Sequence, residues 1–261
     1  MTCRILPISV RRMLRRVLSG VSLSVSHKVL TEWPDINDQS DWAKPEVVAR
    51  FRRELETASD MNVIKQSPIV LDNLIALSRT GLPEATLLDF GCGNGIYKLI
   101  LASFPQTARW RYVGADNAEL VKLCRTMHPG TRFEPMKEGS RIPFPDKEFD
   151  IVMASGVLQY VKDYVAILSE FRRITNNYVL ISRLPVCKHT CPQVVLQTVF
   201  HTDGVERHVA HVFNREMLEA CFRSTGFSMV WRDYGSEFFH IPGIDEPVVH
   251  NLYLLQKEGA A

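Results

Sequence analysis

Thr86-Leu87-Leu88-Asp89-Phe90-Gly91-Cys92-Gly93-Asn94-Gly95 decides how this chain is read. A short apolar run ends at an acid, and glycines follow at every second position. A helix-like segment, Ile96 to Phe104, comes next. The order is strand, tight turn, helix. Glycine serves such a turn because it takes positive φ freely and leaves room for a ligand to touch the backbone. Beyond it, strand-like and helix-like segments alternate. Strands are expected over 85–90, 110–115, 131–136, 149–154 and 178–182, with helices over 95–103, 118–127 and 162–174. Asn214 looks like the cap of a helix over 215–223, which Gly226 closes. Branched, aromatic runs at 227–231 and 248–255 supply two last strands, with a loop over 235–247 between them. This rhythm predicts an α/β fold of the Rossmann-like, doubly wound kind: a mostly parallel seven-stranded sheet with helices on both faces.

The bulk composition limits what the chain can be. Hydrophobic residues make up 46% and charged residues 23%, enough apolar material for a sizeable core. A net charge of +2 is too small to argue for nucleic acid as a global partner. The six cysteines are scattered through a long chain, which reads as reduced thiols in a cytoplasmic setting. No apolar run is long enough to span a bilayer. Cys187, His189 and Cys191 lack a fourth ligand at a usual zinc spacing, so no metal site is expected.

Residues 1–31 contain no Asp or Glu but carry Arg4, Arg11, Arg12, Arg15, Arg16 and Lys28. Val10, Met13, Leu14, Val17, Leu18 and Val21 recur at helical spacing, which suggests an N-terminal helical arm. Three readings stay open: a basic amphipathic helix on an anionic membrane surface, an organelle transit peptide, or a helix packed on its own domain or a partner. Residues 1–44 are thus an arm and linker, and 45–261 form the main domain. Within it, helices over 45–59 and 67–79 make a segment, 45–84, that could lie over the ligand cleft as a lid. Residues 184–213 break the rhythm and read as an irregular insertion on the side of the cleft where a substrate would enter.

Open α/β sheets bind ligands at the carboxyl ends of their strands. Strand one ends in Asp89 and the glycines, and strand two in Asp116-Asn117, where an acid can accept both hydroxyls of a ribose. Glu138-Gly139-Ser140 follows strand three, and Ser155-Gly156-Val157-Leu158-Gln159-Tyr160 follows strand four. With Ile142-Pro143-Phe144-Pro145-Asp146 ahead of Phe149-Asp150-Ile151-Val152, these four motifs resemble those of class I S-adenosylmethionine-dependent methyltransferases, in that family's order, across 86–182. The resemblance implies S-adenosyl-L-methionine as cofactor. It places Gly91, Gly93 and Gly95 against the methionine portion, Asp89 in support of the turn, and Asp116 with Asn117 on the ribose. Glu138 and Gly139 fall on the adenine, while Cys92 and Ser155 line the site. The alternative of a nicotinamide enzyme fits less well, because the third glycine comes one residue early for Gly-x-Gly-x-x-Gly.

Methyl transfer from a sulfonium needs alignment and exclusion of water more than covalent help. A hydroxyl acceptor would also need a general base. Tyr160 is the candidate for acceptor contact, against the plainer reading of an aromatic packed on the following helix. His189, His201, His208 and His211 cluster in the insertion, where one could be that base. A looser resemblance rests on Leu158-Gln159-Tyr160-Val161, Leu180-Ile181-Ser182-Arg183-Leu184-Pro185, Gln197-Thr198-Val199 and Val212-Phe213-Asn214. It points to a group of methyltransferases associated with bacterial surface-polysaccharide genes. That implies O-methylation of a small molecule or glycan, with the basic arm suited to a membrane-held substrate. A cofactor-binding partner subunit without turnover is the other reading. A nucleic-acid methyltransferase is disfavoured, because no Asn-Pro-Pro-Tyr-like tetrapeptide follows strand four.

Overall fold

The computed structural model describes residues 24–34, 41–57, 67–137, 141–190, 192–201 and 204–259. Its elements run β1 (Ser24–Leu30), α1 (Pro45–Thr57), α2 (Pro68–Ser78), β2 (Thr86–Phe90), α3 (Ile96–Ala102), β3 (Arg111–Asp116), α4 (Ala118–Met127) and β4 (Arg132–Pro135). They continue with β5 (Phe149–Ser155), α5 (Tyr164–Ile174), β6 (Thr175–Cys187), β7 (Gln193–His201), β8 (Gly204–Asn214), α6 (Arg215–Ser224), β9 (Phe227–Phe239) and β10 (Val248–Lys257).

β4, β3, β2, β5 and β6 pair in parallel, in that order. β10 joins β6 antiparallel and β9 closes the edge against β10. This is the expected seven-stranded, doubly wound sheet. β2 lies at its centre and is apolar on both faces, as a parallel strand covered on both sides must be. Leu88 and Phe90 pack with Leu168 and Phe171 of α5 and with Leu218 and Phe222 of α6. Leu87 points the other way, to Ala76 and Leu77 of α2 and Leu101 of α3. The period-two alternation of one strand thus builds two cores.

Three expectations change. Residues 184–213 are not irregular: they hold the end of β6 and an antiparallel β7–β8 hairpin. β6 itself continues well past the expected 178–182, and at its tip Val186 and Cys187 pair with Phe213 and Asn214 of β8. Residues 24–30, assigned to the arm, form a strand paired with β7. The run from Val10 to Val21 that suggested a helix lies outside the described residues. Also, β9 extends to Phe239, into the expected loop. The cause is common to all three: branched residues at the sheet margin take their conformation from partners remote in sequence. The two helices expected ahead of the glycine-turn strand are present as α1 and α2, before β2. Among the described residues no helix is long and apolar enough to cross a membrane.

Phe171 is fully buried, edge-to-face on Phe90 at 4.9 Å between ring centroids. Phe171→Ala is expected to cost about 3–5 kcal/mol, measured by urea unfolding of the full chain.

Candidate functional site

The turn after β2 is stapled to the tip of β3. Residue pairing sets Phe90 beside Ala115, and the Ala115 carbonyl accepts the amides of both Gly91 (2.8 Å) and Cys92 (3.2 Å). Gly91, Gly93 and Gly95 have φ of 71°, 58° and 73°, so each takes the left-handed conformation that disfavours a side chain. The space a Cβ would fill is already taken by protein. At Gly91 it would lie 2.4 Å from Val157, at Gly93 3.2 Å from the Phe51 ring, and at Gly95 2.9 Å from His128. The glycines therefore serve the turn's curvature and its packing, in addition to any access they give a ligand. His128 Nε2 also lies 2.8 Å from the Asn94 carbonyl, and the Asn94 amide donates to the Phe51 carbonyl of α1.

Two acids sit under and beside the turn. Asp116 Oδ2 accepts the amide of Gly93 at 2.8 Å, and its Oδ1 accepts the amide of Asn117 at 2.7 Å. Desolvation pushes this carboxyl up to about 6, against the two amides that favour the ion. Asn117 turns its own carbonyl oxygen to the amides of Glu119 and Leu120, capping α4, which explains its place in the sequence. Asp89 is buried and accepts the Tyr112 hydroxyl at 2.7 Å. Burial pushes Asp89 up to about 7, opposed by the Tyr112 bond and reinforced by the charge of Asp116. Cys92 lies below the turn, its thiol raised well above its ordinary range by the neighbouring Cys124 and by burial. A thiol held protonated in this way is a poor nucleophile. Glu138 and Gly139 lie outside the described residues.

Ser155, the last residue of β5, is tied across three elements. It hydrogen-bonds Asn73 of α2 (3.2 Å) and Ser182 of β6 (3.0 Å). Asn73 also donates to the Tyr97 hydroxyl of α3. The Asn73 side-chain nitrogen makes both of these bonds, to Ser155 and Tyr97, and its side-chain oxygen is buried without a hydrogen-bond partner.

A wall of aromatic rings closes the same edge. Phe51 lies over Gly93, Trp42 is 6.2 Å from Phe51 and 5.2 Å from Tyr160, and His208 of β8 stacks on Trp42 at 3.9 Å. Arg50 of α1 makes a two-pronged ion pair with Glu206 of β8, both bonds 2.8 Å. Burial would raise the Glu206 carboxyl, but His208 3.6 Å away and the two bonds from Arg50 overcome it and hold it at about 2. The β7–β8 hairpin therefore anchors α1 over the glycine turn.

The structure brings Asp89, Gly91, Cys92, Gly93, Gly95, Asp116 and Asn117 together, and sets Ser155 at the adjoining strand tip. Tyr160 packs on the hairpin instead of on α5: its hydroxyl donates to Gln197 of β7 at 2.8 Å. The histidines do not form one group. His201 and His208 face Glu206, His211 meets the Lys162 carbonyl, and His189 is exposed. Among the described residues no cluster of His, Cys, Asp or Glu is placed to hold a metal. Asn73, Trp42, Phe51 and Arg50 escaped the sequence reading because they lie outside its motifs. Arg183 sits in the Leu180–Pro185 run, where nothing local in the sequence marks it as leaving the pleat. A groove lined by Lys98, Trp110, Arg111 and Arg132 opens at the amino ends of the strands, the wrong edge for a ligand of such a sheet.

Residues 88–179 match a family described as a methyltransferase domain. Over 100 residues the chain is 33% identical to the trans-aconitate 2-methyltransferase of Azoarcus sp. (strain BH72). That match spans 37% of this chain and 38% of the relative's length. Among solved structures, the 1,6-didemethyltoxoflavin-N1-methyltransferase of Burkholderia thailandensis, with bound substrate and S-adenosylhomocysteine, aligns with 91% of this chain and 97% of its own, at 13% identity and a TM-score of 0.58. Magnesium protoporphyrin IX methyltransferase of Synechocystis with bound S-adenosylhomocysteine covers 84% of this chain and 97% of its own, at 15% identity and TM-score 0.55. A SAM-dependent methyltransferase of Methanosarcina mazei covers 74% and 98%, at 19% identity and TM-score 0.53. Residues 88–179 are thus similar to a methyltransferase domain, and the chain shares the Rossmann-like fold of these solved methyltransferases.

Proposed function

We propose that this protein is an enzyme that transfers a methyl group from S-adenosyl-L-methionine to an oxygen of a small-molecule or glycan acceptor. The observation that carries the reading is the half-buried carboxylate of Asp116 at the tip of β3, bonded to the amide of Gly93 within a turn of three left-handed glycines. The Asp116 Oδ1 already accepts both the backbone and the side-chain nitrogen of Asn117, but Oδ2 accepts only Gly93 and keeps a lone pair for a ribose hydroxyl. The unpartnered oxygen of buried Asn73, beside Ser155, adds an acceptor that suits an ammonium group. These acceptors suit the hydroxyl and ammonium donors of an adenosyl amino acid. By resemblance Glu138 and Gly139 would meet its adenine.

The cofactor, when bound, supplies the activated methyl carbon. The chain's own residues align it and exclude water. Gly91 to Gly95 fix the turn, Asp116 orients the ribose, and Phe51, Trp42 and Tyr160 form an apolar wall. Tyr160, its hydroxyl given to Gln197, acts as part of that wall. Two of the similar proteins are named for small substrates, trans-aconitate and 1,6-didemethyltoxoflavin, which supports a small acceptor. The surface-polysaccharide resemblance supports the glycan. We place the protein in the cytoplasm, where the basic stretch ahead of β1, with Arg4, Arg11, Arg12, Arg15 and Arg16, would meet an anionic membrane surface.

Calorimetry with S-adenosylhomocysteine, followed by labelled S-adenosylmethionine against a panel of acids, sugars and lipids, tests this. No binding to folded protein would refute it, and binding without transfer to anything would favour a non-catalytic subunit. Asp116→Asn is expected to weaken S-adenosylhomocysteine by about 1.5–3 kcal/mol, the worth of charged hydrogen bonds. Wild-type affinity should fall as pH drops through about 6, where Asp116 takes up its proton, and the variant should lack that step.

The same acids set a pH dependence of stability. Asp89 and Asp116 titrate near 7 and 6 in the folded chain, above the ordinary 3.8. The folded state thus holds protons that the unfolded state releases. Their contribution is fully present below about pH 4 and is lost as pH rises through 6 to 7. Ligand-free protein should therefore lose stability from this source between pH 4 and 7, and Asp89→Asn should flatten the slope, read by urea midpoints across pH.

A further inference from the structure

We propose that Arg183 selects the methyl acceptor, and that the acceptor carries a carboxylate which this guanidinium grips beside the point of transfer. The inference rests on the methyl-transfer reading above and adds the chemical class of its substrate.

The backbone places Arg183 deliberately. Along the β6–β10 ladder Ile181 pairs with Tyr253 and Leu184 with Asn251, so Ser182 and Arg183 together face the single residue Leu252. That is a bulge, a device that re-aims a side chain out of the regular pleat. Arg183 pays for it with φ of 59°, left-handed for a residue that disfavours this region. Strain of this kind persists where the surroundings impose it, and it collects at ligand sites. The result is an exposed arginine in a strand otherwise buried on either side of it.

Its side chain lies at the carboxyl edge of the sheet. Ser182 pairs with Ser155, the last residue of β5, and its carbonyl accepts the amide of Gly156. A Cβ on Gly156 would come within 3.1 Å of the Arg183 guanidinium. The next residue, Val157, is the one that presses on Gly91 of the cofactor turn. Arg183 therefore stands two strands along from β2, about 10 Å at the usual strand spacing. That is the far side of β5 from Asp116, where an acceptor has to approach the methyl group.

The charge there is unbalanced. Among the described residues Arg183 makes no ion pair and no side-chain hydrogen bond, whereas Arg50, Arg132 and Arg173 each meet carboxylates. The titratable groups that sense it are Tyr97 of α3, Tyr160 and His250 of β10. Burial keeps both phenols protonated, and burial, with the charges of Arg183 and His27, lowers His250 to about 4. Tyr97 and Tyr160 also sense the carboxyls of Asp89 and Glu206, but Glu206 is already paired with Arg50 and Asp89 is bonded to Tyr112, so the guanidinium of Arg183 keeps its hydrogen-bonding face for an incoming anion. The planar guanidinium fork matches a carboxylate in two parallel bonds.

The test uses the full chain saturated with S-adenosylhomocysteine. Calorimetry compares tricarballylate and succinate with their methyl esters and with inorganic phosphate, for wild type, Arg183→Lys and Arg183→Asn. Asn tolerates the left-handed backbone, so Arg183→Asn should unfold no earlier than wild type. The carboxylates should bind about tenfold or more tighter than their esters. Arg183→Asn should abolish that preference and Arg183→Lys retain part of it, with S-adenosylhomocysteine affinity unchanged in both. Esters or phosphate binding as well as the carboxylates, no carboxylate binding at millimolar concentration, or an Arg183→Asn protein that binds carboxylates normally would overturn the assignment. So would a parallel loss of S-adenosylhomocysteine, which would give the guanidinium to the cofactor. Failure of wild type to bind S-adenosylhomocysteine would instead remove the methyl-transfer reading, and this proposal with it.

Discussion

One carbonyl and one carboxylate hold the site together. Ala115 accepts two amides from the turn after β2, and Asp116 accepts a third, from Gly93. These bonds need β2 and β3 side by side in the register that sets Phe90 against Ala115. A slip of one residue would turn every side chain of the strand to the wrong face and carry the acid away from the turn. The apolar packing of Leu87 on one face and of Leu88 and Phe90 on the other fixes that register. The cores and the site thus rest on the same constraint.

Around this staple the chain adds a second layer of control. Among the described residues the β1–β7–β8 sheet pairs with the central sheet at the tip of β6, where Val186 and Cys187 meet Phe213 and Asn214. It also reaches α1 through the Arg50–Glu206 pair and Tyr160 through Gln197. Removing one partner of a largely buried ion pair leaves the other charge unpaired, which costs more than the pair contributes. Glu206 and Arg50 therefore act as a fixed joint. They keep Phe51 over Gly93 and tie the cover of the cleft to the hairpin.

The chemistry of the site is set by desolvation. Asp89 and Asp116 lie close enough for one charge to disfavour the other, and burial raises both. Cys92 stays protonated in the same environment. A ligand that donates hydrogen bonds to Asp116 would restore what burial removes. On the opposite side Arg183 supplies the positive pole, and the bulge in β6 is what turns it there.

The sequence by itself determined the doubly wound sheet and the grouping of the turn with Asp116. Apolar runs, glycines and the cap Asn117 are local signals, each read from a few neighbouring residues. α4 shows this, matching its expected 118–127 span. The hairpin was partly legible: the branched runs at 194–200 and 205–213 flank Asp203-Gly204, a hairpin signal masked by the surrounding polar residues. Only the tertiary structure decided that Tyr160 faces Gln197, that residues 24–30 form a strand, and that Arg183 leaves the pleat at a bulge. Those outcomes depend on partners tens to well over a hundred residues away. Strand pairing and side-chain direction at a bulge carry no local period, so no window of sequence contains them.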